Sequence, residues 1–241
     1  MYHLPHIYLS GNERQPMEIP KFYFSHVFDD LKPLFAQFAT GRKSFKKGEL
    51  IFSSESPLDF CLLIEKGLSS YSVIHESGAV KTLFYHAEGS LFPTYSSLRT
   101  YRLLEYNMAV TDVEGLILPQ KKLAELMQQH PELMQRVLSA YLDMFNFLLF
   151  DSINQSYNSA FVRVCNFLYL YSEYMQDSGM QFYDINLTHE EISNVVAVSR
   201  VQVSYIISKL KKESVISSSR GRIRVENKKM LGKYCSGETL G

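Results

Sequence analysis

Polar, basic and aromatic side chains are gathered in the segment 199–212, in a pattern that suits hydrogen bonding to another molecule. If this segment is a helix, its apolar residues recur at helical spacing and form one buried face. That face holds Val203, Ile206, Ile207 and Leu210, whereas Arg200, Val201, Gln202, Ser204 and Tyr205 point outward. The outward chemistry is therefore a guanidinium, an amide and hydroxyl groups beside one exposed apolar contact.

A second short helix is predicted directly before this one. Thr188 can accept from the N–H of Glu191 while the Glu191 carboxylate reaches back to the Thr188 N–H, which is a capping box. The apolar residues that follow are Ile192, Val195 and Val196. The chain then breaks at Ala197–Val198, and Ser199 with Gln202 predicts a second capping box. Two helices with a tight break indicate a helix-turn-helix, and an ordinary helical hairpin with a solvated face is the alternative.

The second helix of a helix-turn-helix enters the major groove of DNA, and its first turns touch base edges. Arg200 can bond guanine O6 and N7 through two N–H groups, and Val201 can meet a thymine methyl. Gln202 and Ser204 can hydrogen-bond to bases or phosphates, and Lys209, further along the helix, suits a phosphate. The segment therefore predicts a surface that binds double-stranded DNA.

The distribution of charge supports the same prediction. Residues 199–233 include ten basic and two acidic residues, whereas the whole chain has 25 of each. Positive charge gathered on one surface is what phosphate binding requires. Val215-Ile216 and Ile223–Val225 flank a turn and predict a hairpin, or wing, beside the helix pair. The predicted DNA-contacting residues are Thr188, Ser199, Arg200, Val201, Gln202, Ser204, Tyr205, Lys209, Arg220 and Arg222.

Composition excludes several other classes of protein. The densest apolar run, Phe145–Phe150, is far shorter than the ~18 residues of a membrane span, and the N-terminus lacks the pattern of a signal peptide. Three widely separated cysteines favour reduced thiols, so we expect a cytoplasmic protein without a membrane partner. Residues 1–20 are predicted to form a loosely ordered arm. His3 and His6 in it have no third metal ligand nearby.

Residues 21–130 are predicted to form the first folded domain, which begins with a short helical segment over residues 21–40. Short apolar runs separated by turn residues then indicate an antiparallel barrel or jelly roll. These runs are Leu50–Phe52, Phe60–Ile64, Leu68–Ile74, Lys81–Tyr85, Tyr106–Val110 and Leu116–Leu118, with turns at Gly48, Pro57, Gly67, Gly78 and Gly89. A barrel of this size can hold one small ligand. The fold class predicted for the chain is therefore α+β.

Helices are predicted after the strands, at residues 121–129 and, as one long helix, at residues 131–157. Two apolar stripes run along the long helix, each at alternating spacings of four and three residues. One consists of Met134, Leu138, Tyr141, Phe145 and Leu148, and the other of Leu133, Val137, Ala140, Met144 and Phe147. One stripe can cover the barrel and the other can meet a twofold copy of itself, which predicts a homodimer. A wholly buried helix in a monomer is the alternative. Residues 158–241 form the predicted winged helix-turn-helix domain, and its first helix is expected at residues 161–175.

This order of elements resembles the CRP/FNR family of bacterial transcription regulators. The turns Lys47–Phe52, Glu76–Gly78 and Glu88–Phe92, and the segment Thr188–Leu210, are similar to that family's motifs. The likeness covers about residues 40 to 226. Val198–Ile206 and Tyr157-Asn158 are most similar to the branch that controls reductive dehalogenation (halorespiration). The resemblance implies an N-terminal cyclic-nucleotide-binding-like β-roll, palindromic DNA as a target and RNA polymerase as a further partner.

Departures from the family's motifs disfavour its known ligands. The turn Ser90–Tyr95 lacks the acid and arginine that hold cyclic AMP in related proteins. Residues 1–60 hold no cysteine for an iron–sulfur cluster. His75 and His86 are expected at surface turns rather than as haem ligands. Thr94 replaces a lysine that the dehalogenation branch uses for a phenolic acid. We therefore expect an effector that is less anionic or is recognised in a different way, and no resident cofactor.

The resemblance places a small-molecule effector between the β-roll and the long helix. The predicted effector-binding residues are Phe84, Tyr85, Thr94, Tyr95, Tyr141 and Phe145, and plain core packing is the alternative for their side chains. In the DNA motif, Ala197 stands where the family usually has glycine. Val201 and Tyr205 replace a glutamate and an arginine that many members have. The operator sequence of relatives therefore does not transfer to this chain.

Two other functions are alternatives to an effector-gated regulator. A metal-dependent barrel enzyme needs a His-x-His pair with a further acid and histidine, which His75-Glu76 and His86–Glu88 do not supply. We therefore expect no enzyme activity. A constitutive DNA-binding regulator with a vestigial sensor domain is the other alternative, and the sequence leaves it open.

Overall fold

The computed structural model of the protein describes residues 21–55, 59–94, 104–177, 184–219 and 222–240. The predicted N-terminal arm, including His3 and His6, lies outside these residues, and so do Tyr95 and Arg220.

Two facing sheets form an N-terminal roll, as the turn-separated apolar runs predict. The strands are β1 (Tyr23–Phe24), β2 (Gly41–Phe45), β3 (Leu50–Ser53), β4 (Phe60–Lys66), β5 (Ser69–Ile74), β6 (Val80–His86), β7 (Leu91–Phe92), β8 (Leu104–Ala109) and β9 (Val113–Pro119). One sheet has the order β1-β6-β5-β8-β3 and the other β2-β9-β4-β7. Gly67 shows why the turns need glycine, because its φ is 102° and an added Cβ would lie 2.2 Å from the carbonyl oxygen of Asp112.

Residues 21–40 differ from the single helical segment that the sequence predicts. Tyr23–Phe24 form a strand that pairs in parallel with β6, and only α1 (Lys32–Phe38) and a short 3-10 turn at Asp29–Leu31 are helical. The Tyr85 N–H donates to Phe22 O at 2.8 Å and the Ala87 N–H to Phe24 O at 2.9 Å. Pairing with the free edge of β6 decides this conformation, and local propensity does not reveal it.

Helices α2 (Gln120–Gln129) and α3 (Pro131–Tyr157) follow the roll. The two predicted stripes of α3 have different environments. Leu133, Val137, Ala140 and Phe147 are buried against the protein, whereas Met134, Leu138, Phe145 and Leu148 are exposed together with Leu142, Leu149 and Ile153. The structure thus leaves one apolar face of α3 uncovered along most of the helix.

The C-terminal domain is a winged helix-turn-helix, as predicted. Its elements are α4 (Ala160–Asp177), β10 (Asp184–Ile185), α5 (His189–Val196), α6 (Arg200–Lys212), β11 (Ile216–Ser219), β12 (Arg222–Val225), α7 (Lys228–Gly232) and α8 (Gly237–Leu240). The three strands pair in the order β10-β12-β11. The wing connects β11 to β12 with the pair Ser219 and Arg222 at its end.

One apolar core joins the roll, the long helix and the C-terminal domain. The ring of Phe22 lies 4.9 Å from that of Phe147 on α3 and 5.1 Å from that of Phe167 on α4. Tyr85 on β6 lies 5.8 Å from Tyr171 on α4. The helix-turn-helix is therefore packed directly on the sensor sheet rather than tethered to it by a linker.

Candidate nucleic-acid interface and ligand cavity

The first helix of the helix-turn-helix is fixed by the capping box that the sequence predicts. The Thr188 N–H donates to Glu191 Oε2 at 2.6 Å, and the Glu191 N–H donates to Thr188 Oγ1 at 3.2 Å. The helix ends at Ala197, whose φ of 50° and ψ of 49° are left-handed. A non-glycine residue in that region is strained by roughly 1 kcal/mol, so the tight turn exists at a small local cost.

Helix α6 starts at Ser199, but its cap differs from the predicted box. Ser199 Oγ accepts from the Gln202 N–H at 3.3 Å, and it donates to Gln202 Oε1 at 3.1 Å. The Gln202 side chain therefore meets the Ser199 hydroxyl rather than its N–H. This prediction was wrong in that detail, because a hydroxyl and an amide side chain can bond each other directly.

The outermost face of α6 consists of Val201, Tyr205, Ser208 and Lys212, which follow one another at spacings of four, three and four residues. Val201 is 78% exposed and Tyr205 72%. Ser208 and Lys212 were not among the predicted contacts, although helical spacing from Val201 identifies them. All four side chains are exposed and therefore open to a DNA groove.

Other predicted contacts lie on the flanks of α6. Ser204 Oγ is 2.8 Å from His189 Nδ1, so its hydroxyl ties the two helices together. Burial, and next the charge of Arg200, lower the pKa of His189 below its ordinary value. Lys209 is exposed, but its Nζ lies 4.4 Å from the ring centroid of Phe161 on α4. Arg200 remains exposed at the first turn.

The wing carries both engaged and exposed arginines. Arg224 donates to Asp184 through two N–H groups at 2.6 and 2.9 Å. This pairing lowers the pKa of Asp184 and raises that of Arg224. Arg222 is exposed and lies 3.7 Å from the same carboxylate, so it remains available for a phosphate. The predicted contact Arg220 lies outside the described residues.

A cavity of about 500 Å³ lies between the roll and α3. Most of its wall is apolar, and its polar side chains are Tyr71, His86, Thr94, Glu105, Asn107 and Tyr141. Four predicted effector residues, Phe84, Thr94, Tyr141 and Phe145, line it. The hydroxyls of Thr94 and Tyr141 bond each other across the wall, which links the roll to the helix.

Tyr85 does not line the cavity, contrary to the prediction. It packs with Tyr171 on the side of β6 that faces α4, while its neighbours Phe84 and His86 contribute to the cavity wall. The physical reason is the pleat of the strand, which sends successive side chains to opposite faces. Tyr95 lies outside the described residues.

His86 also differs from its predicted position at a surface turn. It is buried in β6, its ring stacks on Phe92 with centroids 4.4 Å apart, and Nδ1 lies 3.2 Å from Asn107 Nδ2. Burial lowers the pKa of His86 to about 3, so the imidazole is neutral at physiological pH. His75, by contrast, is exposed and bonds Ser77 in the turn, as expected.

The cavity does not suit a cyclic nucleotide as far as the structure describes it. A cyclic phosphate is an anion, and the described lining residues include the carboxylate of Glu105 but no lysine or arginine. Strand β7 and the residue after it supply Leu91, Phe92 and Pro93 to the wall, where a phosphate would need hydrogen-bond donors. The expectation that cyclic AMP is not the ligand remains a prediction.

A buried ionic contact connects the sensor strand β6 to the helix-turn-helix. Lys81 Nζ lies 3.0 Å from Asp151 Oδ2 on α3, and it also donates to the carbonyl oxygen of Val195 at the end of α5. Arg163 on α4 donates to Val196 O at 3.1 Å and to Ala197 O at 3.2 Å. The last carbonyls of α5 are thus held by cations from both the roll and the C-terminal domain.

Across the described ranges, no group of three or more acidic, histidine or cysteine side chains is placed to hold a metal ion. Cys61, Cys165 and Cys235 are all free thiols. In the same part of the chain, no helix is long and apolar enough to cross a membrane.

Comparison with known families matches both domains. A family described as "Cyclic nucleotide-binding domain" matches residues 42–130, and one described as "Crp-like helix-turn-helix domain" matches residues 162–234. The fold and these matches define a DNA-binding transcription regulator with a ligand-binding domain. The chain belongs to the CRP/FNR family.

Individual relatives agree with this assignment. The chain is 28% identical over 206 residues to the listeriolysin regulatory protein of Listeria monocytogenes, covering 80% of this chain and 84% of that protein. It is 25% identical to a global nitrogen regulator of Nostoc sp., covering 84% and 95%. These relatives are regulators by name, which supports the prediction that the chain is not an enzyme.

Solved structures share the fold at low identity. A putative regulator of the CRP/FNR family from Eubacterium rectale has a TM-score of 0.69 and 19% identity, and the match covers 86% of this chain and 96% of that one. A CprK chain complexed with OCPA has a TM-score of 0.61 and 19% identity, covering 89% and 96%. At this identity the likeness concerns the fold alone.

Proposed function

We propose that the protein is a homodimeric regulator whose DNA affinity is set by a small molecule bound between the roll and α3. One observation carries this proposal. Phe145 and Leu148 line the cavity and also belong to the uncovered apolar face of α3. A partner helix on that face would therefore cover the mouth of the cavity, so a ligand inside would contact the elements that position both subunits.

The uncovered face of α3 supports the dimer. Its exposed members include Leu138, Leu142, Phe145, Leu149 and Ile153, which recur at the helical spacings of a two-helix contact. A contiguous apolar surface of this length is uncommon on a monomer in water and marks an interaction site. An identical helix related by a twofold axis would bury it, and it would place two α6 helices on one side of the dimer.

Strand β6 supplies a route from ligand to DNA. Phe84 and His86 face the cavity, while Lys81 on the same strand holds Asp151 and the end of α5. A ligand that shifts β6 would change the energy of the Lys81 contacts and thus the pose of the helix-turn-helix. Gating needs such a difference in ligand affinity between two poses.

Three further features of the proposal follow from the family rather than from contacts. The target is an inverted repeat with half-sites about one helical turn, ~34 Å, apart. RNA polymerase is the expected partner at the promoter and the cytoplasm the expected location. The likeness to the reductive-dehalogenation branch stays a prediction from Val198–Ile206, because the similar structures come from several regulators.

Dimer formation is tested by placing charges on the uncovered face. Leu138→Glu combined with Leu149→Glu should give monomers in sedimentation while far-UV circular dichroism keeps its helix and strand signals. Affinity for an operator selected from random DNA should fall as well, because a monomer engages one half-site. Ser139→Asp, also exposed but outside the stripe, is the matched control. Dimers that persist in the double variant would show that the subunits meet elsewhere.

Gating is tested separately from dimer formation. Ligands that raise the melting temperature are added to titrations of the selected operator, with wild-type protein and Tyr141→Ala. Tyr141 bonds Thr94 across the cavity wall, so its loss should weaken the ligand response more than basal binding. If no cavity ligand changes operator affinity, the protein is the constitutive regulator with a vestigial sensor.

A further inference from the structure

The cavity has a polar end set into an aromatic wall. Asn107 on β8 lines the cavity and is only 1% exposed, and its Nδ2 lies 3.2 Å from His86 Nδ1. Asn107 Oδ1 is buried and has no hydrogen-bond partner among the described residues. A buried carbonyl oxygen without a donor is unfavourable, so this amide is suited to accept from a ligand that enters the cavity.

Charges around this polar end disfavour an anion. His86 is buried and neutral, so it offers no positive charge to form an ion pair with a carboxylate or phosphate. Glu105 contributes a carboxyl group to the wall, where it accepts from the Tyr71 hydroxyl. An ionised carboxylate in a largely apolar cavity repels a second negative charge, because the low dielectric strengthens the interaction.

Rings in the wall suit a flat ligand. Tyr71 stacks on Phe84 with centroids 5.0 Å apart and 20° between the planes. His86 stacks on Phe92 at 4.4 Å and 12°. These two stacked pairs present aromatic faces and edges to the cavity, and a volume of about 500 Å³ exceeds that of a one- or two-ring molecule.

We propose that the cavity binds an uncharged aromatic molecule with an N–H or O–H group, which donates to Asn107 Oδ1. This proposal rests on the proposed function only in taking the cavity as the effector site. The proposed ligand differs from a cyclic nucleotide or an aromatic acid, because a neutral amide and ring stacking would recognise it rather than cationic side chains.

The donor is tested with two probes of nearly equal shape. Indole carries an N–H and benzofuran carries a ring oxygen in its place. The chain has no tryptophan, so indole emission excited at wavelengths beyond tyrosine absorption reports the bound probe, and calorimetry measures both probes. We expect the ratio of indole to benzofuran affinity to be about tenfold higher in the wild-type protein than in Asn107→Leu, the loss expected for one buried hydrogen bond.

A control variant separates the amide from general effects on the sheet. Thr82→Val removes a buried hydroxyl that bonds Ser72 at 3.0 Å and that does not line the cavity. It should keep the wild-type ratio. Equal ratios in the wild-type protein and Asn107→Leu would overturn the proposal, and so would benzofuran binding more tightly than indole to the wild-type protein. The wild-type comparison stands even if Asn107→Leu does not fold.

Charge is tested with a second pair, 4-hydroxyphenylacetamide and 4-hydroxyphenylacetate. The amide should bind at least about tenfold more tightly, since the acid brings a second negative charge beside Glu105. Tighter binding of the acid would overturn the neutral-ligand assignment. Both tests measure occupancy of the cavity without DNA. If bound ligands do not change DNA affinity, the affinity ratios of the two probe pairs should stay as expected here. If the cavity does not bind uncharged aromatic molecules, other ligands could still change DNA affinity.

Discussion

Replacing Lys81 by methionine should loosen the helix-turn-helix from the roll. Lys81 Nζ lies 3.0 Å from Asp151 Oδ2, and the two side chains are 21% and 6% exposed. Removing one member of a buried pair costs about 3–5 kcal/mol, because the other charge stays buried without its partner. Lys81 keeps some solvent contact and Asp151 keeps the Gln155 amide, so we expect the lower end, about 3 kcal/mol.

A double-mutant cycle with Asp151→Asn isolates the pair. Asp151→Asn alone should cost about 1 kcal/mol, because Lys81 keeps some solvent contact and its bond to Val195 O. The double variant should also lose only ~1 kcal/mol, since it buries no unpaired charge, so the coupling of the pair is about 3 kcal/mol. Urea unfolding measures these values, and hydrogen exchange should show weaker protection of α5, where Lys81 holds Val195 O.

Lys46→Met is the matched control, because Lys46 pairs with Asp112 at 2.8 Å but the side chains are 76% and 57% exposed. Breaking that surface pair should lower the free energy of unfolding far less than Lys81→Met does, because solvent and salt screen exposed charges. Equal losses for Lys81→Met and Lys46→Met, or additive effects in the cycle, would refute the assignment of a buried contact.

Three further predictions concern the reading head and the cavity. Ala197→Gly should raise the free energy of unfolding by roughly 1 kcal/mol, measured by urea titration, because glycine adopts the left-handed conformation without strain. Arg200→Ala should cost ~1–3 kcal/mol of DNA-binding free energy per half-site and relax the sequence preference at one base pair. Lys212→Ala should instead weaken binding to all DNA sequences about equally, and it should make the salt dependence of affinity shallower by about one unit of slope per half-site. Operator titrations with single-base variants at several salt concentrations separate the two, and a uniform loss with Arg200→Ala would contradict its base-reading role. Because the pKa of His86 is about 3 in the folded protein and the ordinary pKa of a histidine is 6.5, the unfolded state binds the extra proton below pH 6.5. Stability should therefore fall as pH is lowered from 6.5, by up to about 1.4 kcal/mol per pH unit, and His86→Gln should flatten this slope in pH-dependent urea titrations.

The helix-turn-helix was predictable because its determinants are local. The Thr188–Glu191 box joins two residues three positions apart, and the apolar faces of α5 and α6 follow from spacing alone. The same holds for the two stripes of α3. The exposed positions Ser208 and Lys212 were not among the predicted contacts, but helical spacing from Val201 reaches them without any information on tertiary structure.

The cavity was only partly predictable. Aromatic residues at 84, 141 and 145 indicated its walls, and the structure places them there. The composition of the polar end was not visible, since Asn107 and His86 are 21 residues apart and meet only through the pairing of β5 with β6 and β8. Sequence spacing does not show which strand faces which in a sheet, and a shift of one residue exchanges the two faces.

The sequence by itself therefore determined the order of domains, the caps and faces of the helices and the concentration of positive charge near α6. Each depends on neighbours within a few residues or on composition. Only the tertiary structure decided that Tyr23–Phe24 form a strand, that Tyr85 faces α4 and that Lys81 reaches α3 and α5. These features join residues 62 to 114 positions apart in the chain, so they exist only after long-range packing has chosen which surfaces meet.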